Sequence, residues 1–194
     1  MDFSLDNLRR RLGALEPHTY SRATAPKRAA VAVVLRYRDD RPEVLLMQRA
    51  DSERDRWSGH VSFPGGREEQ HDADLIATAV RETREEVGVD LRESAELVGQ
   101  LHAVRAIARG KILPMSITPY VFLAQREHPV TLNHEATDVL WLPLESAAAG
   151  LLDAVYPYRK GPLRLDLPCW RFEERMIWGL TYDMLTSLLD VYRR

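Results

Sequence analysis

Sulfur available for crosslinking is nearly absent. One cysteine, Cys169, stands among the 194 residues, so no intramolecular disulfide can form. That fits a reducing, cytoplasmic setting. Cys169 lies in "LDLPCWRF" with no base beside it in sequence, and it reads as a buried structural thiol. Long apolar runs are also lacking: none approaches the roughly 20 residues that span a bilayer. The opening segment, "MDFSLDNLRRRLGALEP", has no apolar stretch of the targeting type. It reads instead as an amphipathic helix over about residues 3–15, capped by Ser4 or Asp6. Nor is there an excess of one charge. The formal net charge of -2 argues against a general binder of nucleic acid or of membrane surfaces and leaves a small molecule as the expected partner.

What is present suits one domain over residues 1–194, long enough to bury a proper core. Hydrophobic residues make up 45% and charged residues 29%, both ordinary for a soluble globular chain. "RAAVAVVLRY" (28–37) and "PEVLLMQRA" (42–50) read as strands joined by the polar turn "RDDR". "VSFPGG" carries the strongest breaker cluster. Residues 72–87 form the best helix candidate, with Ile76, Val80, Thr83 and Val87 along one face. "AELVGQLHAV", "PMSITPYVFLAQ" and "TDVLWLPLE" are strand-like; "LESAAAGLLDAV" and "GLTYDMLTSLLDVYRR" are helix-like. Strands and helices alternate irregularly, so an α/β fold with a mixed sheet flanked by helices is expected.

The helix over 72–87 raises a physical question. In "VRETREEVGV", Glu82 has Glu85 and Glu86 as neighbours at helical spacing, on the side opposite Ile76, Val80 and Val87. Like charges so placed cost about 0.2–0.5 kcal/mol per pair. Carboxylates at a helix C-terminus also oppose the dipole, by about 0.3–1 kcal/mol each when exposed. A solvated face relieved by Arg81 and Arg84 is the bland explanation. The upstream "SFPGG" favours another, because bare backbone at Gly65 and Gly66 beside clustered carboxylates suits a hard divalent cation. Such an ion turns a repulsive cluster into a favourable one.

"GGREEQHDADLIATAVRETREEVGV" closely resembles the Nudix box, G-x5-E-x7-R-E-U-x-E-E-x-G-U, over about residues 66–89. Arg81, Glu82, Glu85, Glu86, Gly88 and Val89 match by position, with Thr83 at the first bulky apolar place. The Gly66–Arg81 interval is one residue longer than the pattern, and no glutamate stands where x5-E expects one; Asp72 is the nearest acid, with Glu69 close by. The resemblance implies a Nudix-type α/β/α sandwich and hydrolysis of a nucleoside diphosphate linked to another moiety, with Mg²⁺ or Mn²⁺. By position, Glu82, Glu85 and Glu86 would hold metal, Glu82 or Glu85 would help activate water, and Arg81 would orient the carboxylates.

"LLMQRADSERDRWSGHVSFPGG" further resembles the extra motif of the coenzyme A diphosphatase branch, LL-T-x-R-S-x3-R-x3-G-x3-F-P-G-G. Leu45, Leu46, Arg49, Arg54, Gly59, Phe63, Pro64, Gly65 and Gly66 fall on it; Met47 and Ala50 replace Thr and Ser, and one extra residue precedes Gly59. The longer Gly66–Arg81 interval and "MIWGLT" (176–181) are typical of the same branch. The resemblance implies cleavage of coenzyme A to 4′-phosphopantetheine and adenosine 3′,5′-bisphosphate, with Arg49, Arg54, Gly65 and Gly66 binding substrate. Arg56, Arg105, Arg109 and Lys111 are further candidate phosphate donors. Glu135 stands where such proteins often carry another acid; a plain turn residue is the alternative. His60 reads as a surface histidine rather than a phosphate contact, and Trp178 as core rather than a base-stacking platform. Alternatives within the class are ADP-ribose and NADH as substrates. A nucleotide sensor that no longer cuts is the reading from a different class, and the intact glutamates argue against it.

Overall fold

A computed structural model describes residues 1–52, 57–108, 110–126 and 129–193. Arg54, Arg56 and Arg109, named above as candidate donors, lie outside the described residues. The framework begins with α1 (Leu5–Ala14), whose N-cap is Ser4, its side chain accepting from the Asn7 N–H. Strands β1 (Lys27–Arg38) and β2 (Arg41–Arg49) follow as an antiparallel hairpin. Its turn places Asp39 and Asp40 both at positive φ, the backbone that a tight hairpin requires.

Short β3 (Val61–Ser62) and β4 (Gly65–Arg67) lead into helix α2 (Leu75–Val87). After α3 (Leu91–Ser94) come β5 (Ala95–Gln100), β6 (Val104–Ala108), β7 (Lys111–Ala124) and β8 (Ala136–Pro143). They build a mixed eight-stranded sheet with the spine β3-β2-β1-β7-β5, to which β4 adds on β1, β6 on β7 and β8 on β2. Among the described residues only β1 and β7 run parallel, over nine paired residues. The chain then forms α4 (Leu144–Ala148), β9 (Asp153–Lys160), β10 (Leu163–Phe172), β11 (Arg175–Trp178) and α5 (Gly179–Arg193).

The sheet is covered on both sides, giving the α/β/α layering. Alternate residues of one strand serve opposite cores. Val33 and Leu35 pack with Leu8, Leu12, Leu185 and Leu188 from α1 and α5. Ala32 and Val34 pack with Leu45, Met47, Ala79, Val80 and Val87 on the α2 side. Burial on both faces explains why β1 reads as an almost unbroken apolar run rather than as an alternation. Cys169 is buried and unpaired. Among the described residues no helix is long and apolar enough to cross a membrane.

Three sequence expectations are corrected. Helix α2 begins at Leu75, not Asp72, because the Asp74 side chain accepts from the Ala77 N–H as its N-cap. The helix expected over "LESAAAGLLDAV" stops at Ala148, just before Gly150 at positive φ. Asp153 then opens a three-stranded antiparallel sheet, β11-β10-β9, that the apolar periodicity did not reveal. Strand β9 alternates exposed and half-buried residues, but Val155 and Pro157 stand at exposed positions and mask that alternation in the sequence.

Candidate functional site: a carboxylate cluster on α2

The three glutamates do not all face away from the apolar side of α2. Glu86 is 2% exposed and borders the buried stripe of Ala79, Val80, Thr83 and Val87. Glu82, one turn earlier, has a side chain 16% exposed, while Glu85 at 49% faces solvent. The cluster thus fans from the core edge outwards. Part of the penalty expected at a helix C-terminus is absent because the last carbonyls are occupied. Gly88, at positive φ, donates its N–H to the Arg84 carbonyl, and the N–H groups of Thr131 and Asn133 donate to the Val87 and Glu86 carbonyls.

That same loop brings Glu135 near enough for its charge to bear on Glu82 and Glu86. Glu135 is itself an exposed turn residue, its N–H donating to Asn133 Oδ1. Its carbonyl accepts from the Ala50 N–H, tying the loop to the end of β2.

Gly65 and Gly66 place the glutamates. The Gly65 N–H donates to Glu86 Oε2 at 2.8 Å, and Arg49 Nη1 lies 3.6 Å from Glu86 Oε1. Beside Gly66 there is no room for a Cβ, since one would sit 2.7 Å from Glu82 Oε2 and closer still to its Cδ and Oε1. The first strand turn and the helix therefore meet with carboxylates lying on bare backbone. Burial pushes Glu86 up to about 8, despite the Gly65 N–H and Arg49, with Glu82 and Glu135 adding to the rise. Glu82 is raised as well, by burial first, against the pull of Arg81.

Arg81 is the hub. Its Nε and Nη2 meet both oxygens of Asp72 at 3.0 Å each, its Nη1 reaches Glu82 Oε1 at 3.0 Å and Glu85 Oε2 at 3.1 Å, and its Nη2 donates to the Arg67 carbonyl at 3.1 Å. Asp72, with a side chain 3% exposed, also accepts from the Glu69 N–H and the Thr78 hydroxyl. The paired guanidinium, with these donors, holds its carboxyl well below the usual carboxylate range. Asp72 thus supports Arg81 rather than joining Glu82 and Glu86. Its place in the fold was not readable from the sequence, because it precedes the helix and pairs across nine residues. Asp72→Asn, which removes the charged half of this fork, is expected to lower stability by about 1–3 kcal/mol. Thermal unfolding will check it, with unchanged stability refuting the coupling.

The structure brings Arg49, Gly65, Gly66, Arg81, Glu82 and Glu86 together, with Glu85 attached through Arg81. Arg105 does not join them: its Nη1 donates to the Thr24 carbonyl, and its guanidinium lies 5.3 Å from the Tyr20 ring centroid. Lys111 is exposed at the start of β7. Trp178 is not core; it is half-exposed, with the His60 ring beside it.

Among the described residues no three acidic, thiol or imidazole side chains are gathered tightly enough to grip an ion as they stand. The donor chemistry nevertheless fits a hard divalent cation. All the groups are carboxylate oxygens, two of them one turn apart against glycine backbone, and Glu86 is a buried carboxylate with the Arg49 guanidinium 3.6 Å away. Glu82 and Glu86 are the residues that could hold one, with Glu85 at the rim.

The chain is similar to known proteins in sequence and in fold. The NUDIX domain profile matches residues 26–164. The uncharacterized Nudix hydrolase NudL of Citrobacter koseri is 31% identical over 187 residues, 95% of this chain and 93% of that protein. A crystal structure of a C. elegans Ap4A hydrolase binary complex is similar with a TM-score of 0.51 and 25% identity, covering 63% of this chain and 84% of that one. A MutT/nudix family protein from Enterococcus faecalis shares the fold over 98% of this chain and 70% of its own, with a TM-score of 0.54 and 18% identity. With its box helix, glycine pair and sheet so arranged, the chain belongs to the Nudix hydrolase family, whose members act on diphosphate bonds.

Proposed function

We propose that the chain hydrolyses the central diphosphate of coenzyme A to 4′-phosphopantetheine and adenosine 3′,5′-bisphosphate. The observation that carries the hydrolytic reading is the buried Glu86 and half-buried Glu82 resting on Gly65–Gly66. Coenzyme A as the substrate rests on the motif running from Leu45 to Gly66.

A bound Mg²⁺ or Mn²⁺ would neutralise diphosphate oxygens and acidify the attacking water. Glu82, Glu85 and Glu86 would hold that ion, and Glu82 or Glu85 would take a proton from the attacking water. Arg81, anchored on Asp72, keeps Glu82 and Glu85 in register with each other. Arg49 brings a planar fork of donors suited to a phosphate oxygen, and Arg54 is proposed for the same task. Gly65 and Gly66 act by admitting the carboxylates, the Gly65 N–H being already taken by Glu86. Phosphoryl transfer needs positioning and charge neutralisation more than covalent help, and this set supplies both.

Incubation with Mg²⁺ and coenzyme A, followed by chromatography of the phosphate-bearing products, tests the reading. Removal of the 3′-phosphate deprives the protein of a charge-assisted contact, so dephospho-coenzyme A is expected to be cut about 10–150-fold less efficiently in kcat/KM. Equal efficiency would move the assignment to ADP-ribose or NADH. No turnover of any of these with Mg²⁺ or Mn²⁺ would favour a sensor.

A further inference from the structure

Four rings gather at the end of β3 away from the glycine pair. Tyr156 stacks on Trp178 with centroids 4.0 Å apart and planes 9° from parallel. His60 lies 4.7 Å from Trp178 on a tilted plane, and Tyr158 lies 6.0 Å away. A cluster built only for packing would be buried, yet all four residues are half-exposed. Trp170, on the neighbouring strand position facing the core, shows the contrast at 3% exposed.

Register ties this cluster to the carboxylate site. Met47 pairs with Ser62 and Gln48 with Val61. The Arg49 N–H continues the ladder to the His60 carbonyl, setting His60 opposite Arg49. Residues directly opposite in an antiparallel pair project to the same face. That face is the α2 side, where Leu45 and Met47 pack and where Arg49 meets Glu86. His60 therefore lies opposite Arg49 on the side of the sheet that carries Glu82 and Glu86, and Trp178 with its two tyrosines adjoins His60. Thr181, at the start of α5, donates to the Val61 carbonyl and fixes β3 beneath them.

We propose that Trp178, Tyr156, Tyr158 and His60 form the platform that receives the nucleobase of the substrate, one residue pair along the sheet from the diphosphate site. This rests on the reading of the carboxylate cluster as a site for nucleoside diphosphate derivatives. A planar heteroaromatic base suits the platform because every base has a π-face and stacking on aromatic side chains needs no particular pattern of donors. The imidazole and the two phenols add polar edges at its rim.

The test follows the indole N–H signal of Trp178 in the ¹⁵N-labelled full chain, assigned by its disappearance in Trp178→Phe. With Mg²⁺ present, ADP is expected to shift that signal and inorganic pyrophosphate to leave it in place. No shift with ADP at saturation, or an equal shift with pyrophosphate, would overturn the platform. In turnover, Trp178→Leu is expected to raise KM for coenzyme A about 5–150-fold, more than it lowers kcat, with Trp178→Phe recovering most of the loss. The indole signal of the unaltered chain decides the matter should Trp178→Leu not fold. Coenzyme A hydrolysis without an ADP-induced shift would overturn the platform and keep the proposed function. A shift without hydrolysis would keep the platform and overturn the function.

Discussion

Glu86→Gln is expected to reduce turnover of the diphosphate substrate by about 10²–10⁴-fold while leaving the fold as stable as before or more so. The two halves of this result have one cause. Glu86 is buried at the edge of the α2 core and carries a carboxylate whose proton affinity burial has pushed up to about 8. Burial keeps that group largely protonated near neutral pH; a bound cation would draw out its charge, and a site that needs the charge bears the cost of burying it. Glutamine has the same shape and keeps an oxygen to accept from the Gly65 N–H, so the join of β4 to α2 survives. What it loses is the negative charge, and with it cation affinity, which titration calorimetry with Mg²⁺ or Mn²⁺ will read alongside turnover. Near-normal turnover in this variant would refute the placement of the ion; a large fall in melting temperature would refute the account of the buried charge.

Two adjacent glycines are expected to fail in opposite ways. In Gly65→Ala the new Cβ would lie 2.6 Å from Val31 Cα and against the Ala30 carbonyl, at a φ of +151° that side chains rarely adopt. Both neighbours are backbone of the central strand and cannot step aside. Strain and overpacking together are expected to cost about 2–5 kcal/mol, or roughly 5–20 °C in melting temperature for a chain of this size. In Gly66→Ala the obstacle is the free end of the Glu82 side chain, which can rotate away. Stability should change little. Displacing that carboxylate by about 1 Å is expected to cost about 10²-fold in kcat/KM. Melting curves and kinetics of both variants make the comparison, and a stable, active Gly66→Ala would show that the Glu82 position does not matter.

These contrasts separate what could be read along the chain from what could not. The α2 helix, its Gly88 stop and the spacing of Glu82, Glu85 and Glu86 are local properties, readable because helical neighbours lie three and four residues apart. The β1–β2 hairpin was legible for the same kind of reason, with Asp39 and Asp40 marking its turn. The β9–β11 sheet was not, since Val155 and Pro157 at exposed positions mask the alternation of β9. Asp72 was visible as an acid out of place, and its partner Arg81 was visible too, but their pairing runs between the segment before α2 and the helix itself. Arg105 shows the reverse error: its charge suggested a phosphate ligand, while the fold directs it to Thr24 and Tyr20.

By itself the sequence determined the family, the run of carboxylates and the glycine pair beside them, because each depends on residue type and short spacing. Tertiary structure alone decided which glutamates are buried, what Arg81 holds and which ring stands opposite Arg49. Those follow from strand register and from how closely α2 approaches β4, and both depend on contacts between segments far apart in the chain.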